Sequence, residues 1–400
     1  MSKNERTKPI QVTAKNKEWD STYQLLSWWK PEVIKNAKVM VVGAGALGNE
    51  VLKNLTLLNV GNILIVDFDH IEYSNLSRSV LYREKDCERK ALKAEIAAER
   101  IKEINSNVKV MYLNGDVTID VGLGLFRRMD VIIGCLDNRL ARLFLNRACY
   151  KVKKTWVDGA IENLTGQVDV YKPYTTCYEC SLTKADWQNI KFRLGCVDVA
   201  KRNYSQGRIP TTPISSSIVA AIQTQEALKV VNKNNKKLML ESFYYEGMNN
   251  MVLQLTAKPL KEDCQSHFSY EDIIESPLKS ASSIQETLEW LKIHFKEEDP
   301  FIQLDNEVAL RLVTRQSEIA YEVCIPKLKL TDEKIKEYQE EGDEELMITE
   351  ETKEVDADFP YPNKCLQEVG IPPLHIMQVY AQGDFHYVEL TGDERYLKFS

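Results

Sequence analysis

Three groups of residues in this chain have types and spacings that suit chemistry. Gly43-x-Gly45-x-x-Gly48 joins the apolar run Lys38-Val39-Met40-Val41-Val42 to a helical pattern through Val51, Leu55 and Leu58. A glycine turn between strand and helix lets an anionic group approach backbone N–H groups at a helix N-terminus. Asp67 follows about twenty residues on, at the end of the next expected strand, where a carboxylate can accept from ribose hydroxyls. That pattern serves NAD and ATP equally, so by itself it leaves a dehydrogenase and an ATP enzyme open. Cys177-x-x-Cys180 and Cys264-x-x-His267 are two chelating pairs far apart in sequence. They fit a closed four-ligand structural zinc site, the alternative being buried thiols with His267 on a loop.

The elements that must position these groups follow a parallel-sheet grammar. After the strand at Lys38 to Val42 and its helix comes a strand at Asn62 to Asp67. A helix at Lys90 to Ile104, a strand at Val108 to Leu113, a helix near Gly122 to Arg128 and a strand at Val131 to Gly134 extend it. The periodicity then predicts a helix over Leu140 to Tyr150 and strands at Thr155 to Gly159 and Gly166 to Tyr171. Ser181 to Thr212 is polar, basic and weakly periodic, long for a connection without a function. Thr211-Thr212-Pro213 opens a helix carried by Ile214 to Val231, and Phe243 to Ala257 supplies one or two strands. A boundary is expected near residue 270. Beyond it come a helix at Ile284 to Phe295 and short strands at Phe301 to Leu304, Glu318 to Ile325 and Ile376 to Tyr380. Thr331 to Asp358, dominated by Glu and Asp, reads as a mobile acidic insertion.

Composition bounds the partners. The 400 residues, 44% hydrophobic and 28% charged, are ample for two or three domains. With 52 Lys+Arg against 59 Asp+Glu the formal charge is −7, so no global field draws the chain to nucleic acid or an anionic membrane. No apolar run approaches the roughly 20 residues that span a bilayer, and Met1 to Asp20 is a polar tail without a signal-peptide core, so the expected location is the cytoplasm. Nine irregularly placed cysteines suggest reduced thiols and metal binding above a disulfide framework.

Further motifs narrow the nucleotide. Asp67-Phe68-Asp69-His70-Ile71-Glu72-Tyr73-Ser74-Asn75-Leu76-Ser77-Arg78, Lys93-Ala94-Glu95-Ile96-Ala97-Ala98-Glu99, Cys135-Leu136-Asp137-Asn138 and Cys177-Tyr178-Glu179-Cys180 occur in this order. In them the chain resembles the ubiquitin-activating enzyme superfamily, which includes the ThiF and MoeB adenylyltransferases, over roughly Lys38 to His267. The resemblance implies a doubly wound, Rossmann-like α/β adenylation domain that uses ATP and Mg2+. Gly43, Gly45, Gly48, Asp67, Asp69, Asn75 and Asp137 would bind nucleotide and metal, with Arg78 and Lys93 as catalytic cations. Attack of a carboxylate on the α-phosphate brings two anions together, and cations and a held metal answer that repulsion. Taken singly, Arg78 and Lys93 read as surface cations, Asp137 as a helix cap and Asp69 as a turn residue; as an ordered set they read as a nucleotide site.

In the branch of the family that activates ubiquitin-like proteins, a nucleophilic cysteine lies in the crossover between the Cys-x-x-Cys and the following helix, and Cys196 matches that position. Arg193, Lys201 and Arg202 nearby would favour its thiolate. Two departures stand beside this match: the residues after Cys196 are not the usual Cys-Thr-Ile, and an insertion separates it from Thr211; in the zinc set, His267 stands where the family usually has a cysteine. The C-terminal part, from Ser283-Ile284-Gln285-Glu286-Thr287-Leu288 to Tyr387-Val388-Glu389-Leu390, resembles in pattern the α+β ubiquitin-fold domain that recruits a conjugating enzyme. The family's Arg-Tyr-x-Arg-Gln segment, which reaches the ATP of a partner subunit, is here Ser21-Thr22-Tyr23-Gln24-Leu25-Leu26, without arginine.

The expectation is therefore a tail over 1–20, an adenylation domain over 21–270 with a crossover at 181–213, and a ubiquitin-fold-like domain over 271–400 with the acidic insertion 331–358. The implied activity is MgATP-dependent activation of a ubiquitin-like protein, thioester capture on Cys196 and transfer to a conjugating enzyme, within a homodimer or a heterodimer. Adenylation of a sulfur-carrier protein and a non-catalytic partner subunit are the alternatives.

Overall fold

A computed structural model describes residues 19, 23, 26–195, 210–239, 242–256, 259–314, 318–338 and 346–399. Runs such as Val39-Met40-Val41-Val42 and Ile63-Leu64-Ile65-Val66 are apolar at every position, as a strand covered on both faces requires. They lie within an eight-stranded sheet. Its strands are β1 (Lys38–Val42), β2 (Asn62–Val66), β3 (Lys109–Leu113), β4 (Val131–Gly134), β5 (Trp156–Glu162), β6 (Thr165–Tyr171), β7 (Ser242–Glu246) and β8 (Met251–Leu255), in the order β3-β2-β1-β4-β5-β6-β7-β8. The first five pair in parallel and β5 to β8 are antiparallel.

The period-two alternation of strand side chains sorts the core into two layers. Val39 and Val41 pack with the helices Ala46–Leu57, Lys93–Ile104 and Pro213–Val231, while Met40 and Val42 pack with Leu123–Arg127 and Arg139–Lys151 on the other face. Because the chain runs outward from β1 to β2 and returns to β4 on the other side, the strand order reverses between β1 and β4. Their carboxyl ends frame the crevice where ligands bind in such sheets.

The later residues form a six-stranded sheet of β9 (Ile274–Ser276), β10 (Phe301–Thr314), β11 (Ala320–Pro326), β12 (Leu346–Val355), β13 (Ile376–Ala381) and β14 (Asp384–Leu390), in the order β11-β10-β13-β14-β9 with β12 also paired to β10. Only β9 and β14 pair in parallel. The helix Ile284–Phe295 starts at a reciprocal cap between Ser283 and Glu286 and buries Leu288, Leu291 and Phe295 against this sheet.

Two expectations are corrected. The crossover is not wholly loop, because Lys184–Gly195 is helical, with Trp187 and Ile190 in the core beneath Arg139–Lys151. The acidic segment is not simply a mobile insertion either: β12 pairs with the long β10, and Leu346 and Ile348 pack with Ala309, Leu312 and Val323. Lys327 pairs with Glu351 at 3.0 Å, and Arg311 stands opposite Glu350, so part of the negative charge meets cations. The second sheet also shares a core with the first. Leu374 and Ile376 lie among Met40, Val42 and Ile132, and the Gly124 amide donates to the Leu374 carbonyl at 2.8 Å.

Candidate functional site

The glycine turn is built for close approach. Gly43 has φ +95°, and a Cβ there would lie 2.4 Å from the Cys135 carbonyl oxygen. A Cβ on Gly48 would meet the Gly43 carbonyl at 1.9 Å, so this glycine lets the helix pack on its own turn. Gly45, the N-cap of Ala46–Leu57, has nothing within 4 Å of where a Cβ would be, which leaves the helix N-terminus open to a ligand.

Asp67, Asp69 and Lys93 converge beside this turn. Asp67 accepts from the Ala44 amide at 2.7 Å and from the Asp69 amide at 2.8 Å. Burial raises its pKa, with the Lys93 ammonium acting in the opposite direction. Lys93 donates to the Asp69 carboxylate at 2.7 Å, and its backbone amide donates to the Asp69 carbonyl. Asn75 is buried, and its side-chain oxygen accepts from the Glu72 amide to cap the short turn Tyr73–Leu76. Arg78 is half-buried and donates to the Ser74 carbonyl at 2.6 Å; among the described residues no ion pair holds it. On the other side of Gly43, the β4 end leads through Cys135 to Asp137. Asp137 is exposed, and the helix cap is its neighbour Asn138, which accepts from the Ala141 amide at 2.7 Å. The glycine turn thus has Asp67, Asp69 and Lys93 on its β2 side and Asp137 on its β4 side.

Several supporting residues escape a reading of the sequence. The buried Asn49 donates to the Ala44 carbonyl at 2.7 Å and accepts from the Leu81 amide, and the Tyr82 hydroxyl donates to Ala44 at 2.6 Å. Arg142 donates to the Leu136 carbonyl at 2.6 Å, to Gly159 at 2.9 Å and to Asp158 at 3.1 Å. It thereby ties the residue before Asp137 to β5. Burial pushes Asp158 up to about 6, with Arg142 opposing that shift. The helix Arg139–Lys151 also carries Arg139, Asn146 and Arg147, so nothing in the sequence singles out Arg142.

Cys177, Cys180, Cys264 and His267 meet as the spacing predicts, with all four ligand atoms within 4.8 Å of one another. The Cys177 and Cys264 sulfurs are 3.6 Å apart, those of Cys177 and Cys180 are 3.8 Å apart, and Cys180 Sγ is 3.4 Å from His267 Nε2. Zinc–sulfur bonds of about 2.3 Å at tetrahedral angles put sulfurs about 3.8 Å apart, so these separations suit a zinc-binding donor set. Burial lowers the His267 pKa, which favours the neutral ligating imidazole, and Tyr150 stacks on its ring at 4.9 Å. A surrounding layer joins the two arms: Asn146 accepts from the Tyr178 amide and donates to Ser266, and Arg147 pairs with Glu179 at 3.1 Å.

Cys196 lies outside the described residues. Among the described cysteines, Cys87, Cys135 and Cys149 have thiol pKa values raised by burial; burial also raises Cys324, to about 11. None of these four has the character of an activated thiolate. Among the described residues no helix is long and apolar enough to cross a membrane.

A doubly wound sheet with a glycine turn, carboxylates and a cation at its reversal point defines a class of nucleotide-binding α/β proteins. The chain belongs to the ThiF family, whose model matches residues 24–266. It is 38% identical over 149 residues to SUMO-activating enzyme subunit 2 of Dictyostelium discoideum, covering 37% of this chain and 22% of that protein. It is 29% identical to the adenylyltransferase and sulfurtransferase MOCS3 of Culex quinquefasciatus, over 58% of this chain and 50% of that one. The chain therefore spans less than two thirds of the length of either relative. Its match to the molybdopterin-synthase adenylyltransferase of Haemophilus influenzae is 32% identical and covers 56% of this chain and 86% of that protein. The crystal structure of E. coli MccB with ATP shares the fold, with a TM-score of 0.51 and 20% identity over 64% of this chain and 75% of that one.

Proposed function

We propose that this chain activates a ubiquitin-like protein, adenylating its C-terminal carboxylate with MgATP, holding it as a thioester on Cys196 and passing it to a conjugating enzyme. The observation that carries the reading is the meeting of the open Gly45 helix terminus, the Asp67–Asp69–Lys93 group and the exposed Asp137 at one strand reversal. Bound MgATP would supply an activated phosphorus and a pyrophosphate leaving group. In this reading Asp67 and Asp69 face the ribose, Asn75, Arg78 and Lys93 hold phosphates, and Asp137 orients Mg2+. Arg78 suits this role because its guanidinium has no competing ion pair among the described residues, and a planar fork grips a phosphate through two bonds.

Capture on Cys196 rests on its position between Cys180 and the helix Pro213–Val231. Zinc held by Cys177, Cys180, Cys264 and His267 would be structural, a four-ligand site having no open position for substrate. The C-terminal unit, a helix packed across a mixed sheet, serves as a ubiquitin-fold-like recruiter of the conjugating enzyme. An unlike second chain would supply the arginine missing from residues 21–26, or another cation takes its place. Activation of a sulfur-carrier protein, without a thioester, is the second reading, favoured by the match to a molybdopterin-synthase adenylyltransferase over 86% of that protein.

Exchange of labelled pyrophosphate into ATP tests the adenylation step. The purified protein is given MgATP and a modifier ending in Gly-Gly from the same organism. Modifier-dependent exchange is expected. Reduction of NAD without exchange would overturn the reading in favour of a dehydrogenase.

A further inference from the structure

The β4–β5 ladder ends at the pair Gly134 and Asp158, one turn before Asp137. At that point a side chain from the opposite layer enters the sheet. Gln223, on the helix Pro213–Val231, is fully buried, and its Nε2 donates to the Gly134 carbonyl at 2.9 Å and to the Val157 carbonyl at 3.3 Å. One amide group thus bridges the two parallel strands where their own ladder stops. The orientation follows from chemistry, since a flipped amide would set its oxygen against two carbonyl oxygens. Its Oε1 is buried without a hydrogen-bond partner, so the amide is held there despite one unmet acceptor.

The room for this amide comes from Gly159. A Cβ at 159 would lie 2.4 Å from the Gln223 amide carbon and oxygen, so any side chain there would expel it. From the other face Arg142 holds Leu136 and Gly159. The strand ends that carry Asp137 are therefore clamped from both layers, by a neutral amide on one side and a guanidinium on the other.

We infer that Gln223 is a positioning residue: seated against Gly159, it fixes the Gly134–Asp137 turn that presents Asp137 to the nucleotide. The role of Asp137 in that statement rests on the function proposed above, whereas the clamp itself rests on the hydrogen bonds. The same helix follows the segment carrying Cys196 in sequence, and Gln223 is its hydrogen-bonded link to the start of the turn.

Two variants test it by different routes. Gln223→Met keeps the length and removes the donor, and Gly159→Ala displaces the amide without altering it. Hydrogen exchange read by mass spectrometry should show amides of 134–141 exchanging at least about tenfold faster in both, with β13, β14 and the zinc segments unchanged. The double variant should exchange no faster than either single one, as coupled positions require. Equilibrium titration with MgATP should show binding weakened about tenfold, the loss deepening as Mg2+ is lowered. If Gln223→Met does not fold, Gly159→Ala carries the same readings. Unchanged exchange at 134–141, or acceleration spread evenly over the sheet, would overturn the inference. Failure of the unaltered protein to bind MgATP would instead refute the nucleotide reading and leave the exchange result to decide the clamp.

Discussion

The Lys93 ammonium lies 2.7 Å from the Asp69 carboxylate, joining the first turn of one helix to the loop after β2 beside the open terminus of another. Asp69 is half exposed while Lys93 is mostly covered. Such a pair contributes about 0–1 kcal/mol to stability in water, so the fold depends little on it, and the proposed role of Lys93 can be tested without unfolding the chain.

Lys93→Ala should lower pyrophosphate exchange by about 100-fold or more, the usual cost of removing one charge-stabilising group. Thermal stability should move by only a few degrees. Exchange within about threefold of the unaltered protein would remove Lys93 from the site.

One zinc per chain is expected from metal analysis of protein purified without chelators. Cys264→Ser should release it and lower the melting temperature by roughly 10 °C, each kcal/mol being worth about 2–4 °C in a unit of 150–250 residues. Equal metal content and melting in the variant would show that the four ligands are only a cluster of buried groups.

Asp158 sets a pH dependence whose sign is determined by burial. Its folded pKa of about 6 exceeds the ordinary 3.8, so between these values the folded chain keeps a proton that the unfolded chain has lost. Stability from this group is present below that window and falls as pH rises through it, by about 3 kcal/mol. Denaturant titrations at pH 4.5 and 7 should show the unaltered protein losing stability relative to Asp158→Asn as pH rises. A parallel response in the two would contradict the assignment.

Glu389, on β14, is fully buried and forms ion pairs with both Arg127 and Arg128 of the first sheet's covering layer. Glu389→Ala takes the ion pair from Arg128 and leaves Arg127 only Glu275 at 3.7 Å; both arginines retain partial access to water, so the loss should sit near the lower end of the 3–5 kcal/mol typical of broken buried pairs, about 3 kcal/mol. Proteolysis should then cut first around residues 268–280. An unaltered cleavage pattern would mean that this contact does not hold the second sheet in place.

Much of this arrangement was legible in the residues. Apolar runs bounded by glycine predict β4 at its observed limits, and β1 likewise, because a strand buried on both faces leaves an uninterrupted signature. Each close pair, Cys177 with Cys180 and Cys264 with His267, was legible for a similar reason, since close spacing encodes local geometry, whereas the meeting of the two pairs depends on the fold. Hidden features depend on partners distant in sequence. Among the described side chains of Lys184–Gly195, Trp187 and Ile190 enter the core, and the polar residues between them blur the period. β12 carries so many carboxylates that it reads as solvated, and its strand follows from pairing with β10 and cations beside it. Arg142 and Gln223 look like ordinary helical residues until the strand ends they bridge are seen.

The central claim, activation with thioester capture, is tested most directly on a non-reducing gel of the purified protein with MgATP and a Gly-Gly-ending modifier, comparing the unaltered chain with Cys196→Ala. The account predicts an adduct that needs ATP, disappears on reduction and is absent from the variant. Pyrophosphate exchange without any such adduct, or an adduct that survives Cys196→Ala, would contradict it.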